Sequence, residues 1–390
     1  MAVLPSICPV TSCTFALTAT TAVTAITRFK KNIQGSLTMP TLSWRALSLA
    51  CLTASTFLMS PSAQAASPKL DTTDVMIPSG DPGIELFVRN KHPVGMKKFS
   101  SDRILLFVHG ATYPAETAFD LPIEGVSMMD LIAQRGFDVY LVDVRGYGRS
   151  TRPPEMSQPP EANKPIVSTE TAAHDYGVAV DYILKKRGVS KIDVMGWSWG
   201  TSIVGLYTSE HNAKVDRLVL YAPQWVRTEP LAANAPPLGA YRLVSKDSAK
   251  ERWLKGVPAD KQADLIPPGV FDAWANATWA TDPESSKHSP PMLRATNGVG
   301  EDSRNYWSAG KALYDPGKIT VPTLILHAEW DADLPSYLAQ NYFKQLKNTP
   351  YKRMVELSEG THTVMMEKNR MQFFHELMGF LDEEKPLALK

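Results

Sequence analysis

Residues 191–206 constrain the fold and the chemistry of this chain more than any other stretch. A short apolar run at 192–195 predicts a buried strand, which ends at Gly196-Trp197-Ser198-Trp199-Gly200. Small and apolar residues then recur with helical spacing, which predicts a helix directly after the glycines. We therefore expect a strand, a sharp turn and a helix, with Ser198 at the turn.

The residues around Ser198 indicate a nucleophile. A serine hydroxyl reaches a carbonyl carbon and a general base only if it projects clear of the backbone, which a strained strand-to-helix turn achieves. Gly196 and Gly200 are expected to keep side chains out of the place where the strand and the helix come closest. The predicted helix N-terminus also offers backbone N–H groups and a dipole that favour an oxyanion. Ser198 is therefore the candidate nucleophile.

Length and composition are typical of a globular protein and favour no nucleic-acid partner. The chain has 390 residues, 44% of them hydrophobic, so it can bury a sizeable core. The formal net charge is +1, with 41 Lys and Arg against 40 Asp and Glu, and the sequence has no basic stripe. The cysteines are Cys8, Cys13 and Cys51. Cysteine catalysis and thiolate metal ligation are thereby excluded after residue 51.

Residues 1–65 have the composition of a targeting segment. The first acidic residue of the chain is Asp71, and an apolar run at 46–59 follows Arg45. Small residues in Ser62-Ala-Gln-Ala65 then match a cleavage motif, which predicts a secretory signal peptide removed after Ala65. The apolar run is too short to favour a permanent membrane anchor. The mature protein is therefore expected to be secreted or periplasmic.

Alternatives to this signal peptide remain open. An organelle transit peptide would share the lack of acidic residues and the many Ser and Thr residues. A lipoprotein anchor at Cys51 is disfavoured by Ser48, which stands where a branched aliphatic residue is expected. Met39 is a more ordinary start for the signal than Met1, and the sequence does not decide between them.

Apolar runs alternate with helical patterns along most of the chain. The predicted strands are 74–77, 84–89, 104–108, 137–142, 192–195, 216–221, 322–327 and 353–357. The predicted helices, besides the one after Ser198, are 128–135, 170–186, 337–346 and 367–381. This order indicates an α/β fold built of β-α-β units, with a mostly parallel sheet and helices on both faces. Ligands of such sheets bind at the carboxyl ends of the strands.

The alternation breaks between residues 224 and 318. This segment has many prolines and little apolar alternation. It contains five tryptophans: Trp225, Trp253, Trp274, Trp279 and Trp307. We interpret it as a mainly helical lid over the strand ends, inserted between two parts of the core at 66–223 and 319–390. Each tryptophan alone is typical of a small helical core, but together they favour an apolar or aromatic substrate pocket.

Two later loops supply the partners that a serine nucleophile needs. A histidine takes the hydroxyl proton, and a carboxylate fixes the tautomer of that histidine. The loop after the seventh predicted strand carries Asp331 and Asp333, and the loop after the eighth carries His362. Either aspartate could orient His362, and the spacing to Pro335 favours Asp331. With Ser198 first, the chain order is then Ser, Asp, His.

These motifs together resemble the α/β-hydrolase superfamily, over residues 74–221 and 322–381. The supporting motifs are His109-Gly110 after a strand, Asp143-x-Arg-Gly-x-Gly-x-Ser150, the Gly-x-Ser-x-Gly turn, Asp331 with Pro335, and Gly360-Thr-His362. The resemblance implies an eight-stranded sheet, with Ser198 as nucleophile, His362 as base and Asp331 as its orienting carboxylate. The sequence departs from the family at Ala328, where Gly is common, and in a His-Gly-Ala-Thr loop rather than His-Gly-Gly-Gly.

An oxyanion hole requires two backbone donors placed where charge develops. The N–H of Trp199 follows the nucleophile and is the first donor. The second comes from the loop after His109-Gly110, where we choose Ala111 over Thr112. His109 itself is expected to brace this loop, and no metal or organic cofactor is expected.

The sequence thus predicts a secreted, esterase- or lipase-like serine hydrolase that cleaves carboxylic esters of a small acyl substrate through an acyl-enzyme. An amidase or a proline-iminopeptidase-like peptidase is the alternative enzyme, because the same triad serves both. Acidic lid residues that could hold a free amine would support the peptidase; the candidates are Asp260, Asp264, Asp282 and Glu284. The alternative from another class is a non-catalytic ligand-binding protein with the same fold.

Overall fold

The structure is a computed structural model that describes residues 67–229 and 236–384. The predicted signal peptide lies outside the described residues. The strands are β1 (Leu70–Pro78), β2 (Glu85–Pro93), β3 (Ile104–Val108), β4 (Asp138–Val142), β5 (Ile192–Trp197), β6 (Val215–Tyr221), β7 (Tyr241–Ser245), β8 (Met292–Thr296), β9 (Thr323–Ala328) and β10 (Lys352–Leu357). The helices are α1 (Ala115–Phe119), α2 (Met128–Gln134), α3 (Thr169–Arg187), α4 (Trp199–His211), α5 (Lys246–Leu254), α6 (Gln262–Leu265), α7 (Val270–Ala280), α8 (Gly298–Asn305), α9 (Ser336–Gln345) and α10 (Arg370–Leu381).

Eight strands form one mostly parallel sheet in the order β1-β2-β4-β3-β5-β6-β9-β10. The pairs β1-β2 and β2-β4 are antiparallel, and the other neighbours are parallel. Every residue of β3, β4, β5, β6 and β9 is buried. Such continuous apolar strands are typical of a parallel sheet covered on both faces. The predicted α/β fold and eight-stranded sheet are therefore confirmed.

Helices flank this sheet in groups. Helix α3 packs against α4, and α2 packs against α10. Helix α3 begins where the Ser168 side chain accepts the Thr171 N–H, and it ends at Gly188, whose φ of 68° reverses the chain. Helix α4 is buried from its first residue to Ser209, so its sequence is small and apolar rather than amphipathic. It therefore holds the turn at Ser198 in the interior of the protein.

The segment 224–318 combines helices with a second, smaller sheet. Strands β7 and β8 pair antiparallel, with Tyr241 opposite Thr296, and this two-stranded sheet was not predicted from the sequence. Helices α5 to α8 make up most of the remaining regular structure. Trp274 lies between Trp253 and Trp279, with ring centroids 5.0 and 6.0 Å away. These three tryptophans form a packed aromatic cluster, whereas Trp225 packs against Tyr314 and Tyr342.

The last helix differs slightly from the prediction. It begins at Arg370 rather than at residue 367, and a 3₁₀ turn at Val364–Met366 precedes it. The acidic side chain of Glu367 is buried between the two. In the described ranges, no helix combines the length and apolar character that crossing a bilayer requires.

Candidate active site

Ser198 occupies the turn between β5 and α4 in a strained backbone conformation. Its φ and ψ angles are 58° and −122°, a combination that residues other than glycine rarely adopt. The Ser198 N–H donates to Tyr221 O on the neighbouring strand β6 at 2.9 Å. The structure thus contains the expected strand, turn and helix, with Ser198 at the carboxyl end of a central strand.

Two glycines allow the strand, the helix and a neighbouring loop to approach one another. A Cβ atom on Gly196 would lie 2.2 Å from Gly200 O, and a Cβ atom on Gly200 would lie 2.5 Å from His109 O. Both distances are shorter than any normal contact, so a side chain at either position would force the serine turn apart. This close approach explains the Gly-x-Ser-x-Gly spacing.

His362 and Asp331 form a buried hydrogen-bonded pair, with His362 Nδ1 2.7 Å from Asp331 Oδ2. The other carboxylate oxygen, Oδ1, accepts the backbone N–H groups of Asp333 and Leu334 at 3.0 and 2.9 Å. Burial raises the pKa of Asp331, but the charge of His362 and hydrogen bonds from His362 and Leu334 outweigh it, so the pKa lies below its usual value. An ionised Asp331 accepts a hydrogen bond from Nδ1–H and leaves Nε2 able to act as a base.

Asp333, the alternative partner of His362, points elsewhere. Its Oδ2 accepts a hydrogen bond from Arg252 Nε at 2.5 Å. His327, at the end of β9, is buried in the core with Nε2 2.8 Å from Leu334 O. The geometry therefore pairs His362 with Asp331 and not with Asp333.

Ser198 and His362 line the same cavity. No hydrogen bond joins Ser198 Oγ to the imidazole in the described part of the chain. Hydrogen bonds of this kind are often long in ligand-free sites and tighten when substrate binds. The arrangement therefore suits a serine and a base that come into hydrogen-bond contact when a substrate binds.

Four aromatic residues contribute to the remaining cavity wall, one of them Trp197 beside the nucleophile. Tyr113, Trp253 and Trp274 line it, and the Tyr113 and Trp274 rings meet edge to face with centroids 4.6 Å apart. The charged side chains of the wall are Arg252 and Asp333. The wall offers an apolar surface interrupted by one ion pair.

Two side chains from outside the eight-stranded sheet hold the loop after β3 in place. Ala111 O accepts hydrogen bonds from Tyr147 Oη at 2.9 Å and from Arg242 Nη2 at 2.7 Å. These two donors fix the orientation of the peptide group that joins Ala111 to Thr112. Ala111 lines the cavity beside Ser198. The backbone donors at Ala111 and Trp199 stay predictions, because they require a bound oxyanion to define their geometry.

His109 braces the same loop from within. Its Nε2 accepts the Val144 N–H at 3.2 Å, so the proton sits on Nδ1, 2.7 Å from Gly110 O. Burial lowers the pKa of His109 to about 4. His109 is therefore neutral near pH 7 and forms two structural hydrogen bonds rather than transferring protons.

A family model described as alpha/beta hydrolase fold matches residues 103–369. The chain belongs to the alpha/beta hydrolase fold family. The matched span includes the β5-α4 turn and both loops that carry the acid-base pair.

Solved structures of this family share the fold at low sequence identity. The 2-hydroxy-6-oxo-6-phenylhexa-2,4-dienoate hydrolase of Rhodococcus sp. strain RHA1 is 16% identical, with a TM-score of 0.52 over 81% of this chain and 100% of that one. The serine hydrolase CCSP0084 of Cycloclasticus zankles is 18% identical, with a TM-score of 0.52 over 80% and 98%. A thermophilic esterase of Thermogutta terrifontis is 16% identical, with a TM-score of 0.51 over 80% and 98%. The search of curated proteins gave no match to this sequence.

In this α/β-hydrolase fold protein, three buried or partly buried charges near the site were not foreseen from the sequence. They are Arg242, Arg252 and Glu367. The two arginines come from the segment 224–318, which carries no recognisable motif. Their positions depend on contacts with residues far away in the chain, which sequence spacing does not reveal.

Glu367 supports the loop that carries His362. Its carboxylate accepts from Thr361 N–H at 2.9 Å, Thr363 Oγ1 at 3.0 Å and Trp253 Nε1 at 2.8 Å. Burial raises the pKa of Glu367, although these hydrogen bonds oppose the rise. The one sequence signal for this role of Glu367 is a threonine on either side of His362, within a helical turn of an acidic residue.

Among the described residues, no group of three or more His, Cys, Asp or Glu is arranged to hold a metal ion.

Proposed function

We propose that this protein is a serine hydrolase that cleaves carboxylic esters through an acyl-enzyme. The observation that carries the proposal is the strained Ser198, which faces one cavity with His362 while His362 Nδ1 is bonded to Asp331. A strained serine on such a turn has little structural purpose, because the conformation is unfavourable for any residue with a side chain. The fold family is a setting in which this arrangement serves acyl transfer.

Each residue has a defined task in the proposed mechanism. Ser198 Oγ attacks the acyl carbon while His362 Nε2 takes its proton, and Asp331 stabilises the resulting imidazolium. The backbone N–H groups of Ala111 and Trp199 stabilise the oxyanion. His362 then protonates the leaving alcohol, and a water activated by His362 releases the acid from the acyl-enzyme.

Several contacts favour an ester over a peptide substrate. A peptidase that holds a free amine needs an unpaired carboxylate in its cavity. Asp333 is the acidic side chain in the cavity wall, and Arg252 neutralises it. Of the acidic residues suggested from the sequence, Asp282 pairs with Arg294 and Glu284 with Lys287.

Asp260 and Asp264, the other two candidates, do not line the cavity either. The proposed substrate is therefore a small ester with an apolar or aromatic part. Among the relatives of similar fold, the thermophilic esterase is named for this reaction class.

We further propose that the segment 224–318 acts as a lid between the core parts 66–223 and 319–390. Arg252, Trp253 and Trp274 of this segment line the cavity, so its position controls access to Ser198. Hydrogen exchange measured before and after covalent inhibition of Ser198 tests this role. Slower exchange in α5 and α7 of the inhibited protein would support a closing lid, and unchanged exchange would argue for a fixed wall.

The sequence also supports export. The acid-free segment with its apolar run and its Ser-Ala-Gln-Ala motif ends at Ala65. N-terminal sequencing of the protein expressed with its full leader tests this part of the proposal. A mature chain that begins at Ala66 in the periplasm or medium is the expected result, and a full-length cytoplasmic chain would contradict it.

A substrate screen tests the reaction class. The protein from residue 66 onward is assayed with 4-nitrophenyl esters of two to twelve carbons beside aminoacyl 4-nitroanilides. Ester turnover supports the proposal, while turnover of anilides alone supports the amidase or peptidase. Loss of all turnover together with tight ligand binding would support the non-catalytic alternative.

A further inference from the structure

Two arginines converge on one hydroxyl in the wall of the candidate active site. Thr112 Oγ1 accepts from Arg242 Nη2 at 2.8 Å and from Arg252 Nη1 at 3.3 Å. Thr112 follows Ala111 in the loop after β3 and itself lines the cavity. Two guanidinium groups that share one neutral acceptor repel each other, so this arrangement is unfavourable unless an anion offsets it.

One carboxylate is hydrogen-bonded to one arginine of this pair. Arg252 Nε is bonded to Asp333, whereas Arg242 has no carboxylate partner within residues 67–229 and 236–384. Arg242 instead donates to neutral groups, including Ala111 O and Thr296 O. Burial and the nearby charge of Arg252 lower the pKa of Arg242. Asp331 also carries a negative charge, but its oxygens accept hydrogen bonds from His362 and from two backbone N–H groups, so Arg242 keeps neutral acceptors alone in the described residues.

Arg252 presents part of its own guanidinium group to the cavity. About 38% of its side chain is exposed, and it lines the cavity together with Ser198. Its Nη2 forms no hydrogen bond to a carboxylate in the part of the chain that the structure describes. The rest of the wall near it is apolar, from Ala249, Trp253 and Trp274. A donor with a positive charge in an apolar cavity favours an anionic ligand group, because the low local dielectric strengthens the attraction.

We propose that the substrate of this protein is an acidic ester, in which a carboxylate on the acyl or the alcohol part binds Arg252. This inference rests on the proposed function and narrows its substrate class. The apolar stretch of the substrate lies against Trp253 and Trp274 while the ester carbonyl reaches Ser198. Arg242 supplies the second positive charge without touching the carboxylate, and Asp333 holds the Nε edge of Arg252 in place.

Matched ester pairs test the proposal on the wild-type protein. Mono-4-nitrophenyl adipate and 4-nitrophenyl hexanoate have acyl chains of equal length that end in a carboxylate and a methyl group. 4-Acetoxybenzoate and 4-methylphenyl acetate make the same comparison on the alcohol side. The expected result is a kcat/KM for the acidic ester about tenfold to a hundredfold above that of its neutral partner in one pair, the effect of one charge-assisted hydrogen bond.

Variants assign this preference to the guanidinium group. Arg252→Gln is expected to lower the acidic-to-neutral ratio to about one or below, and Asp333→Asn is expected to raise it by removing a competing carboxylate. The double variant Arg252→Gln/Asp333→Asn keeps the net charge of the pair and should also lose the preference. Arg353→Gln is the matched control, because Arg353 pairs with Glu383 away from the cavity, and its ratio should equal that of the wild type.

The possible outcomes separate this inference from the proposed function. Turnover of the neutral esters with both acidic-to-neutral ratios at or below one would overturn the inference and leave the serine hydrolase intact. A preference that survives in Arg252→Gln with an unchanged melting temperature would also overturn it. Absence of turnover of all four esters, with no modification of Ser198 by a fluorophosphonate, would overturn both.

Discussion

Asp331 Oδ2 lies 2.7 Å from His362 Nδ1, although 30 residues separate the two in sequence. The two loops meet because β9 and β10 are parallel neighbours whose carboxyl ends lie at the same edge of the sheet. Two backbone N–H groups hold the other oxygen of Asp331. The carboxylate is therefore fixed before substrate arrives, which is the condition for orienting a general base.

Replacing Asp331 with Asn should lower kcat by about 10³ to 10⁴, because an amide would favour the wrong tautomer of His362. Asp333→Asn should lower kcat on a neutral ester far less, because Asp333 faces Arg252 rather than His362. Steady-state kinetics with a 4-nitrophenyl ester compare the two. Equal losses for both variants would mean that Asp331 has no special relation to the base.

Replacing Gly200 with Ala should damage both the fold and the site. The added Cβ would lie 2.5 Å from His109 O, so the turn must shift, which we expect to cost about 1–3 kcal/mol in the free energy of unfolding. A displaced Ser198 should lower kcat/KM by about 10². Urea unfolding and ester turnover measure the two effects.

Gly379→Ala is the matched control. This glycine lies in α10, and its Cβ would have no neighbour within 4 Å. The substitution should raise the free energy of unfolding by about 0.5–1 kcal/mol through helix propensity. Unchanged stability and activity in Gly200→Ala would contradict the close approach of turn and loop.

His109 should make the protein less stable in mild acid. Its pKa is about 4 in the folded protein and about 6.5 in an unfolded chain. Between these values the unfolded state takes up a proton that the folded state does not, so stability falls as the pH drops from about 6.5 to 4. The full loss is about 3 kcal/mol.

Urea unfolding at a series of pH values checks this, with His109→Gln and with the exposed His375→Gln as control. The amide of Gln can keep the contacts to Gly110 O and Val144 N–H without binding a proton. The slope of stability against pH should flatten in His109→Gln and stay unchanged in His375→Gln. A slope in His109→Gln equal to that of the wild type would show that His109 is not the group responsible.

Arg242→Met should weaken binding of the transition state more than binding of the substrate. The variant removes one of two donors to Ala111 O and leaves Tyr147 as the other, so the loop is less firmly oriented. We expect kcat to fall about tenfold or more with a smaller change in KM, because a full oxyanion donor contributes about 10² to 10³. Affinity for a boronic acid, which forms a tetrahedral anion on serine, should fall in parallel. An unchanged kcat in Arg242→Met and in Arg242→Met/Tyr147→Phe would show that these contacts to Ala111 O do not support catalysis.

The main sheet could be predicted from the sequence because the patterns that mark its strands and the turn at Ser198 are local. Each buried strand is a continuous apolar run, and the turn at Ser198 is marked by Gly196 and Gly200, whose spacing follows from contacts within a few residues. The pairing of His362 with Asp331 could be predicted because both residues follow strands that end at one edge of the sheet.

The segment 224–318 could not be predicted to the same depth. Strands β7 and β8 are short and separated by about fifty residues, and each is strand-like only because the other pairs with it. The positions of Arg242 and Arg252 likewise depend on Thr112, more than a hundred residues earlier. Long-range contacts of this kind leave no periodic pattern in the sequence.

By our proposal, Ser198 is a nucleophile that His362 activates. The most direct measurement treats the protein from residue 66 onward with a fluorophosphonate and locates the adduct by peptide mass spectrometry, with His362→Ala alongside. We predict one adduct, on Ser198, formed rapidly in the wild type and at least about 10³-fold more slowly in His362→Ala. An adduct on another residue, or equal labelling rates in the two proteins, would contradict the claim.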